Sequence, residues 1–294
     1  MESFVERRGN RLTLRHSPQF QIESLTDAAS YRIDTAPLPF ASMMPDEPYH
    51  EHRGTVVVTG ATRGLGLAIA ARLANDCFQV IATGRSKSRQ FCELEDDRQI
   101  QNHVKFAELD LSNHTKIRET ARTIEKEHGP ILGLVNNAAI GTDGILATMH
   151  ETQIIELINV NVTGTILLTK YLTRSMLKRR TGRVINVASI IGHTGYSGLS
   201  VYAASKSAML GFTRSLSREL GKAGITVNSV SPGYMETDMT KSMSAGKLAT
   251  IARRSPMSKL VDVREVAGTV AFLLSEDAKS ITGTDIVVDA GSRA

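Results

Sequence analysis

The chain has 294 residues, of which 41% are hydrophobic and 22% are charged, so it is long enough for one large α/β domain or two small ones with a sizeable core. Its two cysteines, Cys77 and Cys92, lack the CxxC spacing of zinc and redox sites, which argues against a metal site and a disulfide framework and favours a reducing compartment. No apolar run reaches the roughly 18 residues of a membrane span, and the net charge of +5 comes without an aromatic-interleaved basic stripe, which disfavours nucleic acid and leaves anionic small molecules or an acidic protein as partners.

Residues 1–53 are predicted to form an N-terminal extension, partly disordered or draped over the rest of the chain. Five of the eight prolines lie in the first fifty residues, and no long periodic segment appears there. Four arginines within the first fifteen residues are typical of an organelle transit peptide, whereas Glu2 and Glu6 argue against one, and a variable tail is the simpler interpretation. The expected location is therefore cytoplasmic, with the mitochondrial matrix or the plastid as the alternative.

From Thr55 onwards, strand-like apolar runs alternate with segments of helical period. The predicted strands are 55–59, 79–83, 103–108, 131–136, 182–188, 224–230 and 284–289. The predicted helices lie near 64–76, 112–127, 151–178, 200–222 and 263–275. Because this alternation gives right-handed crossovers, residues 54–294 are predicted to form a single Rossmann-like, doubly wound α/β domain. Its sheet has seven mainly parallel strands, with helices on both faces.

The first strand runs through the glycine-rich turn TGATRGLG into the first helix. Gly60 allows the tight turn, Gly64 lets backbone approach a pyrophosphate, and Gly66 lets the helix pack closely on the strand. The helix N-terminus adds N–H groups and the positive end of its dipole. A turn between a β-branched strand and an amphipathic helix is the expected context of a dinucleotide site, and a glycine-rich turn without a ligand is the alternative.

The spacing TGxxxGxG resembles the fingerprint of the short-chain dehydrogenase/reductase family, and the likeness extends over about residues 54–294. The end of the second strand distinguishes the cofactor, because an acidic residue there binds a free ribose 2′-hydroxyl whereas arginine accommodates a 2′-phosphate. Arg85 follows this strand and Arg63 lies in the turn, which in the family implies NADP(H); two solvated arginines are the alternative. Asp110 resembles the adenine-contacting aspartate of the family, and a helix cap is a compatible role.

Tyr202 and Lys206 are predicted to carry proton transfer. Four residues apart on a helix, they share one face. An ammonium near a phenol favours phenolate, so the tyrosine pKa is expected to fall below about 10, which suits exchange of a proton with an alcohol or carbonyl oxygen. The YxxxK pattern alone is common by chance, and its weight comes from the motifs around it.

Two further residues complete the constellation that the family resemblance implies. Ser189 ends the fifth predicted strand, 13 residues before Tyr202, and matches the catalytic serine that holds the substrate carbonyl. Asn161 matches the fourth catalytic member, which kinks the long central helix and holds a water that passes protons to the lysine; a helix-packing amide is the alternative. The expected catalytic set is therefore Asn161, Ser189, Tyr202 and Lys206.

Other segments agree with the family. The run VNNAA resembles its NNAG segment, with Ala139 in place of the glycine and a slight backbone shift expected there. SPGYMETDM resembles the segment on the nicotinamide side, so Thr237 is expected to bond the carboxamide and 234–254 to form a mobile lid. The resemblance implies cofactor contacts from Thr59, Gly60, Thr62, Arg63, Gly64, Leu65, Gly66, Arg85, Asp110, Leu111, Asn137, Ala138, Tyr202, Lys206, Pro232, Gly233 and Thr237.

Within the family, four segments resemble 3-oxoacyl-[acyl-carrier-protein] reductases: GRVINVASIIG, YAASKSA, SLSREL and SPGYMETDMT. These reductases imply an NADPH-dependent homotetramer or homodimer that meets an acidic carrier protein. Arg180 and Arg218 match the docking arginines by position, with Lys178 and Arg179 beside them and ordinary solvated charges as the alternative. His193 and Tyr196 lie in the expected substrate loop, where they would narrow the pocket.

The predicted function is reduction of the ketone of an acyl thioester in fatty-acid synthesis, with no metal needed. A carbonyl reductase for a quinone, steroid, sugar or polyketide intermediate is the enzymatic alternative. A nucleotide-sensing regulator on the same fold is the alternative outside catalysis, and the presence of all four catalytic positions argues against it. An enoyl reductase is disfavoured because that relative has a wider Tyr–Lys spacing.

Overall fold

The computed structural model describes residues 7–8, 11–12, 53–237, 240 and 244–294. The chain divides into two compact units, Met1–Tyr49 and His50–Ala294. In the first, two short strands, Arg7–Arg8 and Arg11–Leu12, pair antiparallel. Most of the extension predicted over 1–53 lies outside the described residues.

The second unit is built on a seven-stranded sheet in which every pairing is parallel. All seven predicted strands are confirmed, with ends that differ by at most two residues. The strands are β1 (Thr55–Thr59), β2 (Gln79–Gly84), β3 (Val104–Glu108), β4 (Ile131–Asn136), β5 (Gly182–Val187), β6 (Ile225–Pro232) and β7 (Asp285–Val288). The predicted fold class is thereby confirmed.

The strand order is β3-β2-β1-β4-β5-β6-β7. The order reverses direction between β1 and β4, so the loops after these two strands leave the sheet on opposite faces. In open α/β sheets, ligands bind in the crevice that such a switch point opens at the carboxyl ends of the strands. This edge is where a functional site is expected.

Eight α-helices flank the sheet in the part of the chain that the structure describes. They are α1 (Gly64–Asn75), α2 (Arg89–Glu95), α3 (His114–His128), α4 (Glu151–Ile158), α5 (Thr165–Arg179), α6 (Ser200–Leu220), α7 (Ala245–Arg254) and α8 (Val263–Leu274). None of these described helices combines the length and hydropathy needed to cross a bilayer.

Both faces of the sheet are buried, which explains the unbroken apolar runs of its strands. Because successive strand residues point to opposite faces, Val56 and Val58 join the hydrophobic cluster under α1 and α8. Val57, between them, joins the cluster under α3 and α5. All three are fully buried.

The helices differ from their predicted forms in three places. The predicted helix 151–178 contains a widened, π-helical stretch, Asn159–Gly164, between α4 and α5. Helix α2 was not predicted, since its seven residues contain a single buried side chain, Phe91, and show no period. Helix α7 occupies part of the segment expected to be a lid, of which residues 238–239 and 241–243 lie outside the described part.

Gly66 sets the distance between α1 and the turn before it. A Cβ atom at this position would lie 2.2 Å from the Gly60 carbonyl oxygen and 2.5 Å from Asn137 Nδ2. Both atoms belong to the backbone turn or to a side chain bonded to it, so neither has room to retreat.

We therefore expect Gly66→Ala to destabilise the fold by about 1–3 kcal/mol through overpacking, measured by urea unfolding. Gly211→Ala is the matched control, because Gly211 lies within α6 and a Cβ there meets nothing within 4 Å. The control should raise stability by about 0.5–1 kcal/mol, the usual gain in a helix interior. Equal effects of the two substitutions would contradict the close approach.

Candidate active site

The glycine turn joins β1 to α1 at the carboxyl edge of the sheet. Gly64, the first residue of α1, has a φ of +54°, and a Cβ there would find only the Thr237 side chain, at 3.8 Å. Thr237 therefore lies against the turn, with its Cβ and methyl group toward the N-terminus of α1. The N–H groups and the positive dipole end of this helix suit the pyrophosphate of a dinucleotide.

Three of the predicted cofactor residues stabilise the turn through hydrogen bonds. The Thr59 hydroxyl accepts hydrogen bonds from the backbone N–H groups of Asn137 and Ala138, each 2.9 Å long. The Asn137 amide in turn donates to the Thr59 carbonyl oxygen at 2.8 Å. The side chains of Thr59 and Asn137 thus hold β1 to the end of β4. Ala139 has no positive φ, so the alanine in place of the family glycine causes no backbone strain.

Basic and acidic side chains meet where β2 and β3 end. Arg85 and Asp110 are both exposed. The pKa of Asp110 lies below its ordinary value, chiefly because the Ser112 hydroxyl donates to its carboxylate at 2.7 Å, and the charge of Arg85 adds to the shift. Arg63, in the turn, is exposed as well. A cation at the end of β2 fits a ribose 2′-phosphate.

Two leucines among the predicted cofactor residues point into the core instead. Leu65 is 8% exposed and Leu111 is 5% exposed, and each belongs to a hydrophobic cluster. Only the backbone atoms of these two leucines are therefore positioned to contact a dinucleotide. Thr62 is held by Ser88, whose hydroxyl donates to the Thr62 carbonyl oxygen.

Ser189, Tyr202 and Lys206 come together at the carboxyl end of β5. The Ser189 hydroxyl lies close enough to Tyr202 to lower the pKa of the phenol, and its Oγ accepts from the backbone N–H of Ile191 at 3.2 Å. Lys206 is 4% exposed. Its ammonium donates to the Val187 carbonyl oxygen at 2.7 Å and lies 5.8 Å from the centre of the Tyr202 ring. One helical turn of α6 thus presents both side chains to the end of the strand.

Burial dominates the protonation of this pair. It raises the pKa of Tyr202 to about 12, against the lowering effect of the Ser189 hydroxyl, and it lowers the pKa of Lys206 to about 8. The predicted fall of the tyrosine pKa is therefore wrong for the chain as described. Removing a phenol from water disfavours its anion more strongly than its neighbours stabilise that anion.

Asn161 lies in the π-helical stretch and is 3% exposed. Its side-chain oxygen accepts from the Ile140 N–H at 2.8 Å, and its amide nitrogen donates to the Ile140 carbonyl at 2.9 Å and to the Ser205 hydroxyl at 3.2 Å. The amide therefore ties the loop after β4 to α6, one residue from Lys206. The interruption of the central helix falls where the resemblance implies it, and the proton relay stays a prediction.

The segment after β6 is anchored to β7. The Gly233 N–H donates to the Val288 carbonyl at 2.8 Å, and Pro232 pairs with the same residue. Thr237, four residues on, faces Gly64 as described above. This segment brings with it Tyr234, which the sequence did not single out, although it directly follows the Pro-Gly pair.

Tyr234 and Tyr196 form a phenol pair beside Tyr202. Their ring centres are 6.2 Å apart, with planes inclined at 58°. Burial raises the pKa of Tyr234 well above its ordinary value, and its closeness to the Tyr196 and Tyr202 phenols adds to the shift. The predicted substrate residue Tyr196 thus reaches the site.

His193, the other predicted substrate residue, turns away from it. Its Nε2 lies 2.9 Å from an Asp285 carboxylate oxygen and 3.2 Å from the Ser231 hydroxyl. Both partners lie on β6 and β7, so the imidazole anchors the start of the substrate loop to the sheet. This arrangement indicates that His193 fixes the substrate loop to the sheet instead of narrowing the pocket.

The predicted docking arginines lie at the opposite edge of the sheet. Arg180, with a left-handed φ of +55°, stands before β5, and its guanidinium donates to the Lys222 carbonyl at 2.6 Å. Ser189 stands after β5, about 20 Å away at roughly 3.3 Å per residue. Arg218 lies in the last turn of α6, about 24 Å from Tyr202 in the first, at roughly 1.5 Å per residue.

Comparisons with known proteins match this arrangement. Residues 60–293 match the family model described as enoyl-(acyl carrier protein) reductase. A 3-oxoacyl-[acyl-carrier-protein] reductase, FabG, of Vibrio cholerae is 39% identical over 235 residues, which are 80% of this chain and 95% of the relative. The relative MabA of Mycobacterium avium, of the same printed name, is 38% identical over 81% of this chain and 89% of its own.

A solved structure, that of an actinorhodin polyketide ketoreductase variant with NADPH, superposes with a TM-score of 0.76 at 31% identity. The match covers 81% of this chain and 97% of that one.

The buried lysine makes stability depend on pH, with a sign that can be worked out. Because its folded pKa of about 8 lies below the ordinary 10.5, the unfolded chain binds more protons between these values. Burial of Lys206 therefore lowers the free energy of unfolding by its full amount below pH 8, and this penalty disappears as the pH rises to 10.5.

We compare the free energy of unfolding of Lys206→Met with that of the wild type at each pH. The difference, variant minus wild type, should be about 3 kcal/mol larger at pH 7.5 than at pH 10.5. The loss of the hydrogen bond to the Val187 carbonyl shifts this difference equally at both pH values. Urea unfolding at a series of pH values measures this, and Lys116→Met, on the exposed face of α3, controls for loss of a lysine. A difference between wild type and Lys206→Met that stays constant across the range would contradict burial of the charge.

Proposed function

The chain belongs to the short-chain dehydrogenase/reductase family, and from this we propose that it is an NADPH-dependent 3-oxoacyl-[acyl-carrier-protein] reductase. The single observation that carries the proposal is the meeting of Ser189, Tyr202 and Lys206 at the carboxyl end of β5, two strands along the sheet from the strand that leads into the glycine turn. Two hydroxyls that hold a carbonyl oxygen, with an ammonium behind one of them, suit reduction of a ketone.

Each side chain has a separate part in the reaction. Ser189 and Tyr202 hold the substrate carbonyl oxygen by donating hydrogen bonds to it. A phenol with a pKa of about 12 is protonated at neutral pH, so Tyr202 is ready to give its proton to the oxygen as negative charge develops there. Lys206 lies close enough to stabilise the phenolate that remains. When bound, the nicotinamide cofactor supplies the hydride.

The cofactor proposed is NADP(H). The end of β2 carries Arg85, and the run of residues from Gly84 to Ser88 contains no acidic side chain. Arg63 lies on the turn on the same edge of the sheet. A solved relative, ElxO, with NADP bound supports this choice, at 30% identity and a TM-score of 0.76 over 82% of this chain and 98% of that one.

A carrier-protein thioester is proposed as the substrate because of the names of the relatives and the net charge of this chain. The chain outside residues 1–53 is basic, which suits an acidic carrier protein. Arg180 and Arg218, about 20 Å from the catalytic edge, mark the proposed docking surface for the carrier protein. A homotetramer or homodimer and a cytoplasmic location are parts of the same proposal. A polyketide 3-oxo thioester is the second candidate, favoured by the likeness to the polyketide ketoreductase.

We expect Tyr202→Phe to lower turnover of an acetoacetyl thioester by at least about a hundredfold, the usual contribution of general acid catalysis. NADPH binding, followed by fluorescence, should change little. Tyr171→Phe, on α5 and away from the site, is the matched control and should keep wild-type activity.

The same assay distinguishes the substrates. Carrier-protein and coenzyme A thioesters are compared with a quinone and a keto-steroid. Preference for the carrier-protein thioester is expected, and activity confined to another carbonyl class would overturn the fatty-acid proposal. Substantial turnover by Tyr202→Phe would overturn the catalytic assignment.

We expect Arg85→Ala to raise the KM for NADPH about tenfold or more and to leave that for NADH unchanged, because a charge-assisted bond contributes about 1.5–3 kcal/mol. Steady-state kinetics with the two cofactors measures the ratio. Lys116→Ala removes an exposed charge elsewhere and serves as the control. An equal rise for both cofactors would show that Arg85 does not read the 2′-phosphate.

A further inference from the structure

Four polar side chains outside the catalytic scheme join the start of the substrate loop to β6 and β7. His193 Nε2 lies 2.9 Å from Asp285 Oδ2, and the two side chains are 24% and 16% exposed. The other carboxylate oxygen, Oδ1, accepts from the Ser229 hydroxyl at 2.6 Å and from the Ser231 hydroxyl at 2.9 Å. Both serines are buried on β6. Asp285 thus binds the loop and the neighbouring strand at once.

The chemistry of these groups fixes the direction of each hydrogen bond. A carboxylate only accepts, so each serine hydroxyl donates its single proton to Asp285. The third partner of the carboxylate is His193 Nε2, which must therefore carry a proton. The same N–H also faces the Ser231 oxygen, 3.2 Å away. Rotation of the imidazole would break both contacts, so His193 is held in one orientation.

His193 directly follows the short turn that begins at the catalytic serine. This 3₁₀ turn, Ile190–Gly192, comes immediately after Ser189. The Ser189 carbonyl accepts from the Gly192 N–H at 2.9 Å, and the Ile191 N–H donates to Ser189 Oγ at 3.2 Å. Because the second bond occupies a lone pair of the hydroxyl, the turn restricts the directions in which the Ser189 proton can point.

Helix α6 holds the opposite side of the same turn. The Ser207 hydroxyl donates to the Gly192 carbonyl at 2.6 Å. A Cβ atom at Gly192 would lie 3.0 Å from the backbone carbonyl carbon of Lys206, so the turn packs directly on the helix that carries the lysine. The turn after Ser189 is therefore fixed at two places, to α6 by these contacts and to β6 and β7 by His193.

We propose that His193 is a positioning residue that acts through Ser189. Bonded to Asp285, it fixes the turn so that the serine hydroxyl points at the substrate carbonyl oxygen. The inference rests on the proposed function and deepens it. Without the bond to Asp285 the turn is held on the α6 side alone, and the Ser189 hydroxyl samples directions that miss the substrate. Groups that contact a reacting atom need such support from the residues behind them.

Two amides of different length test this restraint. Glutamine can place its amide nitrogen near the position of imidazole Nε2, whereas asparagine is one methylene shorter and does not reach Asp285. Since a misplacement of about 1 Å can cost about a hundredfold in rate, we expect the partial loosening in His193→Asn to lower kcat for an acetoacetyl thioester about tenfold. His193→Gln should keep kcat within about threefold of the wild type, because it restores the hydrogen bond.

The KM for NADPH is measured in the same assay. It should stay within about twofold in both variants, because the phosphates are proposed to bind at the helix N-terminus after β1, and β1 is three strands away from β6.

A double-mutant cycle shows whether His193 acts through the serine. Ser189→Ala removes the hydroxyl that the turn orients, with an expected loss in kcat of about a hundred- to a thousandfold, and single-turnover kinetics measures the remaining rate. In that background His193→Asn should change the rate less than about twofold, because the group that it positions is gone. A residue that merely supports the fold would lower the rate by the same factor in both backgrounds.

His128→Asn is the matched control and should keep the wild-type kcat. It also replaces a largely buried imidazole near a carboxylate, at the end of α3. His193→Leu removes the donor outright and gives a second loss variant, and the unfolding temperature of each variant is measured beside its kinetics.

The outcomes separate this inference from the proposed function. An equal loss in both serine backgrounds, a loss that glutamine does not restore, or no loss in His193→Asn and His193→Leu would each overturn the inference and leave the proposed function intact. A wild-type protein that reduces no acetoacetyl thioester would overturn the proposed function and this inference with it.

Discussion

Burial of the Lys206 ammonium between α6 and β5 is the constraint on which the site depends. Its hydrogen bond to the Val187 carbonyl fixes the helix against the strand end, and this contact sets Tyr202 beside Ser189. The charge is held at a cost, since burial lowers the lysine pKa to about 8. A fold that keeps an unfavourable charge in its interior is typical of a site selected for chemistry instead of stability.

Most of the architecture was predictable because the sheet is covered on both faces. Strands such as β1 then read as unbroken apolar runs, and helices such as α8 show a clear apolar face with a capping box at Asp262 and Glu265. Helix α2 was missed because seven residues give no period. The π-helical stretch around Asn161 was signalled by an asparagine within an apolar helix and by the kink that the family resemblance implies there.

The site was predicted less completely than the fold, since sequence motifs name residues without their partners. Thr59 and Asn137 were expected at the cofactor, and the structure shows their side chains bonded to each other's backbone. The direction of the Tyr202 pKa shift depends on burial, which no local sequence motif predicts. Tyr234 became visible only when two distant loops placed it against Tyr196.

The central claim is that one row of side chains, from Lys206 through Tyr202 to Ser189, faces a dinucleotide on the glycine turn. A crystal structure of the Tyr202→Phe protein with NADPH and an acetoacetyl thioester tests it most directly. The account predicts the ketone oxygen about 3 Å from Ser189 Oγ, with the nicotinamide on the same side and the pyrophosphate over Gly64. A dinucleotide bound elsewhere, or a ketone held away from Ser189, would contradict it.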